Sequence, residues 1–431
     1  MFDRESTAEQ IARSSDLRGR NAVLTGASSG IGAETARALA LAGADLILGV
    51  RDVAAGEVVA REIATAANST IRVLPLDLSD LHAVAAFADQ VTGPVDLLIA
   101  NAGVSKTPQT HLPNGLELRF ATNHLGHFLL ALRLRRQMAE RGARLLVLSS
   151  AAHKGLPVHL DDLQWRKRPH SLAAYGESKS ANILFAQEAT RRWSTHGIYA
   201  NAILPGSALT GLQRHHGDEM KRRIGFILPD GTVNPAVKSI AQAAATTLWA
   251  ASSPELEQRG GLVLEDCGEA LPVGPLTHPW SGYDARVADR ETARLLWEHS
   301  LGLLSELCGG AIIPGTQPSL TRRKMGVSNA ATSGISAFHF LRHSSPCDMA
   351  TANATGTMPA RASNPMPASA ELPVHMTSST SSTRRPARRR TRRGSSHMVR
   401  PSPGEVTDRV ATDSASSYQS LRVVPGATQF G

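Results

Sequence analysis

Two side chains, Tyr175 and Lys179, have the types and the spacing that acid–base catalysis can use. They lie four residues apart in Tyr175-Gly-Glu-Ser-Lys179, so a helix would place them on the same face. A free phenol has a pKa of about 10, which is too high for a base at neutral pH. A nearby ammonium group favours the phenolate and so lowers that pKa. We therefore predict that Tyr175 is a general acid/base and that Lys179 lowers its pKa.

A glycine-rich turn near the start of the chain predicts a binding site for a pyrophosphate. An apolar run passes directly into Thr25-Gly-Ala-Ser-Ser-Gly-Ile-Gly32, and a helical pattern follows. The glycines allow a tight bend, close approach of the backbone to a pyrophosphate, and close packing of the helix on the strand. The helix N-terminus offers free N–H groups and a partial positive charge to the anion. The predicted cofactor-binding residues of this turn are Thr25, Gly26, Ser28, Ser29, Gly30, Ile31 and Gly32.

The end of the next apolar run bears on which dinucleotide binds. An acidic side chain at this point would hold the ribose 2′-hydroxyl, whereas an arginine accommodates a 2′-phosphate. The run ends in Gly49-Val50-Arg51-Asp52. Arg51 favours NADP(H) over NAD(H), and Asp52 is the alternative ribose partner if the strand ends one residue later.

Residues 1–306 alternate short apolar runs with helical patterns, which is typical of a parallel α/β sheet. Several runs are continuously apolar, as expected for strands covered on both faces. We predict a Rossmann-type, doubly wound, seven-stranded parallel sheet in a single domain, with its ligand beyond the carboxyl ends of the strands. The predicted strands are 21–25, 45–50, 71–76, 95–100, 143–149, 198–204 and 261–265, and predicted helices include 32–42, 53–66, 81–91 and 115–141.

The Thr-Gly-x-x-x-Gly-x-Gly pattern of residues 25–32 and the Tyr-x-x-x-Lys pattern of residues 175–179 resemble the short-chain dehydrogenase/reductase family. The resemblance covers about residues 18–305. It implies that Tyr175 and Lys179 also contact the nicotinamide end of the cofactor. Further cofactor contacts that it implies are Asp77 and Leu78 on the adenine, Asn101, Ala102 and Gly103 along the nucleotide, and Pro205, Gly206 and Thr210 at the nicotinamide carboxamide.

The resemblance also assigns two polar residues to the reaction. A family serine at the end of the fifth strand stabilises the substrate oxygen. Its position in Ser149-Ser150 indicates Ser150, with Ser149 as the alternative, because a one-residue shift at a strand end reverses the side-chain direction. Asn123 matches the family asparagine that helps to hold a water chain to the lysine.

The neighbouring histidines predict no metal site. His124, His127 and His153 have no carboxylate or cysteine at the spacing of metal ligands. We interpret them as packing or capping residues.

Four segments together resemble one branch of the family, the retinol dehydrogenase-like and WW-domain oxidoreductase-like enzymes. They are Asn123-His-Leu-Gly-His-Phe-Leu-Leu130, the long interval 151–174, Tyr-x-x-Ser-Lys-x-Ala-Asn over 175–182, and Gly261-Leu-Val-Leu-Glu-Asp-Cys267. Members of this branch typically use NADP, and the expected reaction interconverts an alcohol and a ketone or aldehyde. Leu204 departs from the pattern, since the branch usually has histidine before the Pro-Gly pair, so retinoid chemistry is not implied.

Composition restricts the class of protein. With 42% apolar and 19% charged residues, the 431-residue chain is an ordinary globular protein in composition. No apolar run approaches the roughly 18 residues of a membrane-spanning helix, and the polar N-terminus lacks the pattern of a secretory signal. The three cysteines, Cys267, Cys308 and Cys347, are too scattered for a disulfide framework. We expect a cytoplasmic protein with no membrane partner.

The net charge of +9 is confined to the end of the chain. Residues 1–306 carry 31 basic and 32 acidic side chains, whereas residues 307–431 carry 15 and 5. The second segment is poor in core-forming residues, so we predict a low-complexity, disordered basic tail. An anion or nucleic-acid contact is one interpretation of this tail, but a solvated appendage is favoured and no nucleic-acid partner is expected.

These patterns divide the chain into an N-terminal extension (1–17), the nucleotide-binding domain (18–306) and the tail (307–431). Residues 208–234 are expected to form the loop over a small alcohol or carbonyl substrate. The resemblance implies a homodimer or homotetramer formed through the long helices. A non-catalytic nucleotide sensor or scaffold, with the tail as partner-binding arm, is the alternative function, although such proteins usually lose the tyrosine or the lysine.

Overall fold

A computed structural model describes residues 1–67, 69–105, 107–211, 217–274 and 277–308. All of these residues belong to one compact unit. The predicted tail lies outside the described residues, except that the last helix continues to Cys308, two residues past the predicted domain boundary. Within the described ranges, no helix is long and apolar enough to cross a membrane.

One eight-stranded sheet organises the fold, in the strand order β3-β2-β1-β4-β5-β6-β7-β8. All neighbouring strands pair in parallel except β7 and β8, which are antiparallel. The strands are β1 Asn21–Thr25, β2 Asp45–Val50, β3 Ile71–Pro75, β4 Leu97–Ala100, β5 Ala143–Leu148, β6 Ile198–Leu204, β7 Val263–Glu265 and β8 Gly268–Glu269.

The doubly wound α/β fold is confirmed, but the predicted count of seven strands is wrong by one. The additional strand, β8, follows β7 after a two-residue turn. Asp266 and Cys267 form this turn with φ values of 50° and 59°. Two successive positive φ values are typical of a tight hairpin turn, which usually has glycine or asparagine as its marker. The sequence carries neither residue at these two positions, so its pattern did not predict the turn.

The described ranges contain ten α-helices. They are α1 Ala8–Arg13, α2 Gly30–Leu41, α3 Val53–Ala66, α4 Leu81–Asp89, α5 Leu118–Phe120, α6 Gly126–Ala139, α7 Ser171–Trp193, α8 Asp218–Arg223, α9 Ile240–Ser252 and α10 Arg290–Cys308. The single helix predicted over 115–141 is divided into α5, a π-helical turn over Ala121–Leu125, and α6.

Two apolar cores cover the two faces of the sheet. Along β1, Val23 belongs to one core, whereas Ala22 and Leu24 belong to the other. Side chains alternate across a strand, so this division is what a sheet covered on both faces requires. Helices α4, α6, α7 and α10 form the outer layer of the first core, and α1, α2, α3 and α9 that of the second.

The N-terminal extension contributes a helix that the sequence analysis did not predict. Thr7 caps α1 through a capping box with Gln10. Ala8, Ile11 and Ala12 are buried in the second core, and Glu9 pairs with Arg37 of α2 at 3.0 Å. The spacing i, i+3, i+4 of these apolar residues was the available signal.

Helix α10 packs against α6 and α7. Residues 174–186 of α7 are all buried. The Trp297 ring of α10 packs against Phe128 of α6 (centroids 4.8 Å apart) and against Trp193 of α7 (5.2 Å). Helix α10 thus contacts both α6 and α7 through one aromatic side chain.

Candidate active site

The site lies where the strand order reverses, between β1 and β4, at the carboxyl ends of the strands. Doubly wound sheets bind ligands at this switch point. A cavity of about 600 Å³ opens there. The predicted residues that line it are Gly26, Ser28, Ser29, Gly30, Ile31, Gly32, Arg51, Asp77, Leu78, Asn101, Ala102, Gly103, Ser150, Tyr175, Lys179, Pro205, Gly206 and Thr210. Thr25 and Asn123, the other two predicted residues, are buried and do not line the cavity.

The glycine-rich turn needs its glycines for steric reasons. Gly26 has a φ of +73°, and a Cβ there would lie 2.8 Å from Ala102. A Cβ on Gly32 would lie 2.2 Å from the Gly26 carbonyl oxygen. Ser29 precedes α2 without giving it a side-chain cap. The N-terminus of α2 is thus available to an anion, as the turn predicts.

Thr25 joins the first strand to the segment after the fourth. Its Oγ1 accepts hydrogen bonds from the backbone N–H groups of Asn101 and Ala102, both at 3.0 Å. The Asn101 side chain donates through Nδ2 to the Thr25 carbonyl at 2.8 Å. These bonds hold the glycine-rich turn against the Asn101–Gly103 wall of the cavity.

His127 connects the same network to the π-helical turn. Its Nδ1 lies 3.1 Å from the Asn123 carbonyl, so Nδ1 carries the proton. Its Nε2 is then an acceptor for the Thr25 hydroxyl, 2.8 Å away. Burial is the main reason that the pKa of His127 falls to about 4. This neutral imidazole is a packing residue, as the sequence analysis interpreted it, and it also positions Thr25.

The π-helical turn places Asn123 behind the cavity wall. Its side chain accepts from Val104 N at 2.8 Å and donates to the Val104 carbonyl and to Ser178 Oγ, both at 2.9 Å. These three side-chain contacts are all with protein atoms, and Asn123 is fully buried. Single π-helical turns are rare in proteins, and those that occur are often found at functional sites. No local sequence pattern predicted this one.

Arg51 and Asp52, which the sequence left as alternatives, have different surroundings. Asp52 accepts a hydrogen bond from Ala55 N at 3.0 Å and caps α3. Arg51 is exposed at the cavity and makes no hydrogen bond or ion pair with the residues that the structure describes. Its guanidinium is therefore exposed at the cavity, with donors that no described residue occupies.

Tyr175 and Lys179 lie on one face of α7, as predicted, and both are buried. Lys179 Nζ is 5.8 Å from the centroid of the Tyr175 ring and donates to the Leu148 carbonyl at 2.9 Å. Burial lowers the pKa of Lys179 to about 8. Burial also raises the pKa of Tyr175, and a hydrogen bond with Ser150 opposes that rise. The net direction for the phenol is upward, because the effect of burial is larger than that of Ser150.

The two serines at the end of β5 point in different directions. Ser149 Oγ donates to the Lys179 carbonyl at 2.8 Å and is committed to the core. Ser150 lines the cavity near the Tyr175 hydroxyl, whose pKa it lowers, and its Oγ accepts from Ala152 N at 3.2 Å. The structure thus places Ser150, rather than Ser149, beside the phenol.

The sequence analysis missed three apolar residues of the cavity lining, here called the apolar wall. They are Val104, Leu118 and Phe226. Phe226 belongs to the predicted substrate loop, which was a partial signal, and residues 212–216 of that loop lie outside the described ranges. The apolar side chains of Val104, Leu118 and Phe226 suit the carbon skeleton of a substrate rather than a charged group.

The other predicted histidines are structural. His124 is fully buried, and its Nε2 lies 3.0 Å from Ser300 Oγ of α10. Burial, followed by the neighbouring His127, lowers the pKa of His124 to about 3. His153 is also fully buried and contacts Ser150.

Comparison with known proteins agrees with this geometry. A family model described as short chain dehydrogenase matches residues 20–221. The chain is 43% identical over 295 residues to a "Probable oxidoreductase" of Streptomyces lividans, covering 67% of this chain and 99% of that protein. It is 38% identical over 293 residues to "Retinol dehydrogenase 12" of Mus musculus, covering 67% and 87%.

A solved structure shares the fold as well. An uncharacterized protein from Mycobacterium paratuberculosis superposes with a TM-score of 0.52 at 34% identity, over 68% of this chain and 96% of that one. The chain therefore belongs to the short-chain dehydrogenase/reductase family, oxidoreductases that act on alcohol or carbonyl substrates with a nicotinamide cofactor, and to its retinol dehydrogenase-like branch.

Proposed function

We propose that the chain is an NADP(H)-dependent oxidoreductase that interconverts an alcohol and a ketone or aldehyde, with Tyr175 as general acid/base. The observation that carries the proposal is the convergence of three groups at one cavity. The Tyr175 phenol, its Ser150 partner and Lys179 line the same space as the glycine-rich turn. A proton donor thus lies within reach of a substrate beside a dinucleotide site.

The residues present fit a nicotinamide dinucleotide. Gly26 and Gly32 leave room for close backbone approach, and the N-terminus of α2 has no side-chain cap. Exposed Arg51 at the cavity has free donors for a 2′-phosphate, whereas Asp52 is engaged in capping α3. These features favour NADP(H) over NAD(H). The bound nicotinamide would supply or accept the hydride.

The chain's own residues handle the proton at the substrate oxygen. In the direction of reduction, the Tyr175 hydroxyl donates its proton to the carbonyl oxygen of the substrate. The raised pKa keeps this phenol protonated at neutral pH, which is the form that reduction requires. Ser150 Oγ, beside the phenol, orients the substrate oxygen and stabilises its developing charge.

Lys179 and Asn123 act behind the phenol. Lys179, at 5.8 Å from the ring, provides positive charge that stabilises the phenolate left after proton transfer. Asn123 fixes Val104 through two hydrogen bonds and lies against Gly103, whose Cβ would sit 3.2 Å from Asn123 Oδ1 and 3.5 Å from Lys179 Nζ. This arrangement supports a proton relay from solvent to the lysine.

The test is oxidation of NADPH with a panel of apolar aldehydes and ketones. We expect turnover by the wild type and a fall in kcat of at least about 100-fold in Tyr175→Phe, since general acid catalysis contributes that much. NADPH binding should persist in the variant. Tyr199→Phe, a change in β6 away from the cavity, is the matched control.

Two outcomes would contradict the proposal. Undiminished turnover in Tyr175→Phe would refute the role of the phenol. A wild type that binds NADPH but reduces no member of the panel would favour the nucleotide-sensing alternative.

A further inference from the structure

His153 joins the catalytic serine to a second segment of the chain. It lies three residues after Ser150 and is fully buried. Its Nδ1 is 2.6 Å from the Ser150 carbonyl oxygen. Its Nε2 is 3.0 Å from the backbone N of Asp284. A carbonyl only accepts and a backbone N–H only donates, so His153 is neutral, with its proton on Nδ1.

Two further tethers join the same loop to residues 277–284, here called the cover segment. Lys154 Nζ donates to the carbonyls of Pro279 at 2.8 Å and Ser281 at 2.5 Å. Gly155 N donates to Asp284 Oδ2 at 3.0 Å. The cover segment is therefore bonded to three successive residues, His153, Lys154 and Gly155.

The cover segment supports the apolar wall of the cavity. The Trp280 ring lies edge-on to Phe226, with centroids 5.3 Å apart. A Cβ on Gly225 would lie 3.3 Å from the Trp280 ring, so the contact extends along the backbone. Phe226 in turn lines the cavity. The cover segment thus supports Phe226, one residue of the apolar wall.

We propose that His153 is a positioning residue, whose Nδ1 orients the main chain of Ser150 and whose Nε2 holds the cover segment behind Phe226. One imidazole thereby links the group that polarises the substrate oxygen to the wall that selects the substrate's carbon skeleton. The inference deepens the proposed function and rests on it.

Two substitutions of His153, by asparagine and by glutamine, each keep one of its two hydrogen bonds and remove the other. The amide nitrogen of asparagine matches the position of histidine Nδ1, so His153→Asn keeps the donor to Ser150 and loses the bond to Asp284. The amide end of glutamine matches Nε2, so His153→Gln keeps an acceptor for Asp284 and loses the donor to Ser150. Lys154→Met, which removes only the tether to Pro279 and Ser281, is the control for loosening the cover segment.

The measurements are steady-state kinetics with the best carbonyl of the panel and amide hydrogen exchange of residues 277–284. We expect His153→Gln to lower kcat about tenfold, with KM and exchange unchanged, because orientation of reacting groups has effects of this size. We expect His153→Asn to raise KM about tenfold and to accelerate exchange, with kcat preserved. Lys154→Met should resemble His153→Asn in KM and exchange.

The decisive outcome is that His153→Gln changes kcat and His153→Asn changes KM. A merely structural histidine would give the same loss in both variants. Equal effects of asparagine and glutamine, or wild-type behaviour of both, would overturn the proposal. The exchange readout needs no turnover. An inactive wild type would therefore refute the proposed function, while the exchange of the two variants would still decide whether His153 holds the cover segment.

Discussion

The buried histidines make the folded protein sensitive to acid, and His124 offers the sharpest test. Burial lowers the pKa of His124 from 6.5 to about 3, and the pKa of His127 to about 4. Both rings are therefore neutral in the native state and become protonated on unfolding below about pH 6.5. Their contribution to stability is complete above that pH and is lost as the pH falls toward the native pKa values.

The size of the effect follows from these values. At about pH 5 an unfolded histidine with a pKa of about 6.5 is roughly 97% protonated, whereas the native rings are almost entirely neutral. Proton linkage then costs about 2 kcal/mol per histidine between about pH 7.5 and about pH 5. Buried Glu177 and Glu265, whose pKa values burial raises, act in the opposite direction and reduce the total loss.

Comparison of variants isolates the histidine from those carboxyl groups. The free energy of unfolding would be measured by urea denaturation at both pH values for the wild type and for His124→Gln, which retains a polar partner for Ser300. We expect the acid-induced loss to be about 2 kcal/mol smaller in the variant. His82→Gln, a change at an exposed histidine of α4, should leave the loss at its wild-type value.

An equal acid-induced loss in the wild type and in His124→Gln would refute the reasoning. That result would mean that His124 is protonated in the native state or that its pKa does not change on unfolding. A lower stability of the variant at both pH values, with the smaller loss retained, would agree with the prediction.

Three further predictions concern the cofactor and the assembly. Arg51→Asp should reverse the preference for NADPH, measured as a rise in the KM for NADPH relative to the KM for NADH. Arg61→Asp, on the exposed face of α3, is the control and should leave the preference unchanged, and an NAD preference in the wild type would contradict the assignment. Gly32→Ala should abolish cofactor binding in a fluorescence titration, because its Cβ would lie 2.2 Å from a backbone carbonyl, and unchanged affinity would argue against the turn. Light scattering should give the monomer mass of 45.7 kDa, because Trp297 of α10 packs on Phe128 of α6 and on Trp193 of α7, and a stable dimer would contradict this expectation.

Short-range patterns determined most of the fold. The bounds of β1, β2 and β6 match the predicted strands because each is an apolar run bounded by turn or helix-start residues. The glycine-rich turn and the Tyr175–Lys179 pair were also readable, since their geometry depends on neighbours within a few residues. A helix as short as α1 and a two-residue strand such as β8 have too little pattern to stand out.

Tertiary structure decided which groups meet. Whether Ser149 or Ser150 faces the phenol depends on where β5 ends relative to β6 and α7, and a one-residue difference reverses the side chain. Phe226 and Trp280 form one wall although 54 positions separate them in the chain. The direction of the Tyr175 pKa follows from burial by distant segments, and burial is a property of the packed molecule rather than of the Tyr-x-x-x-Lys spacing. Sequence thus specified the residues capable of the chemistry, and long-range packing specified their partners, because contacts between distant segments leave no periodic signal in the chain.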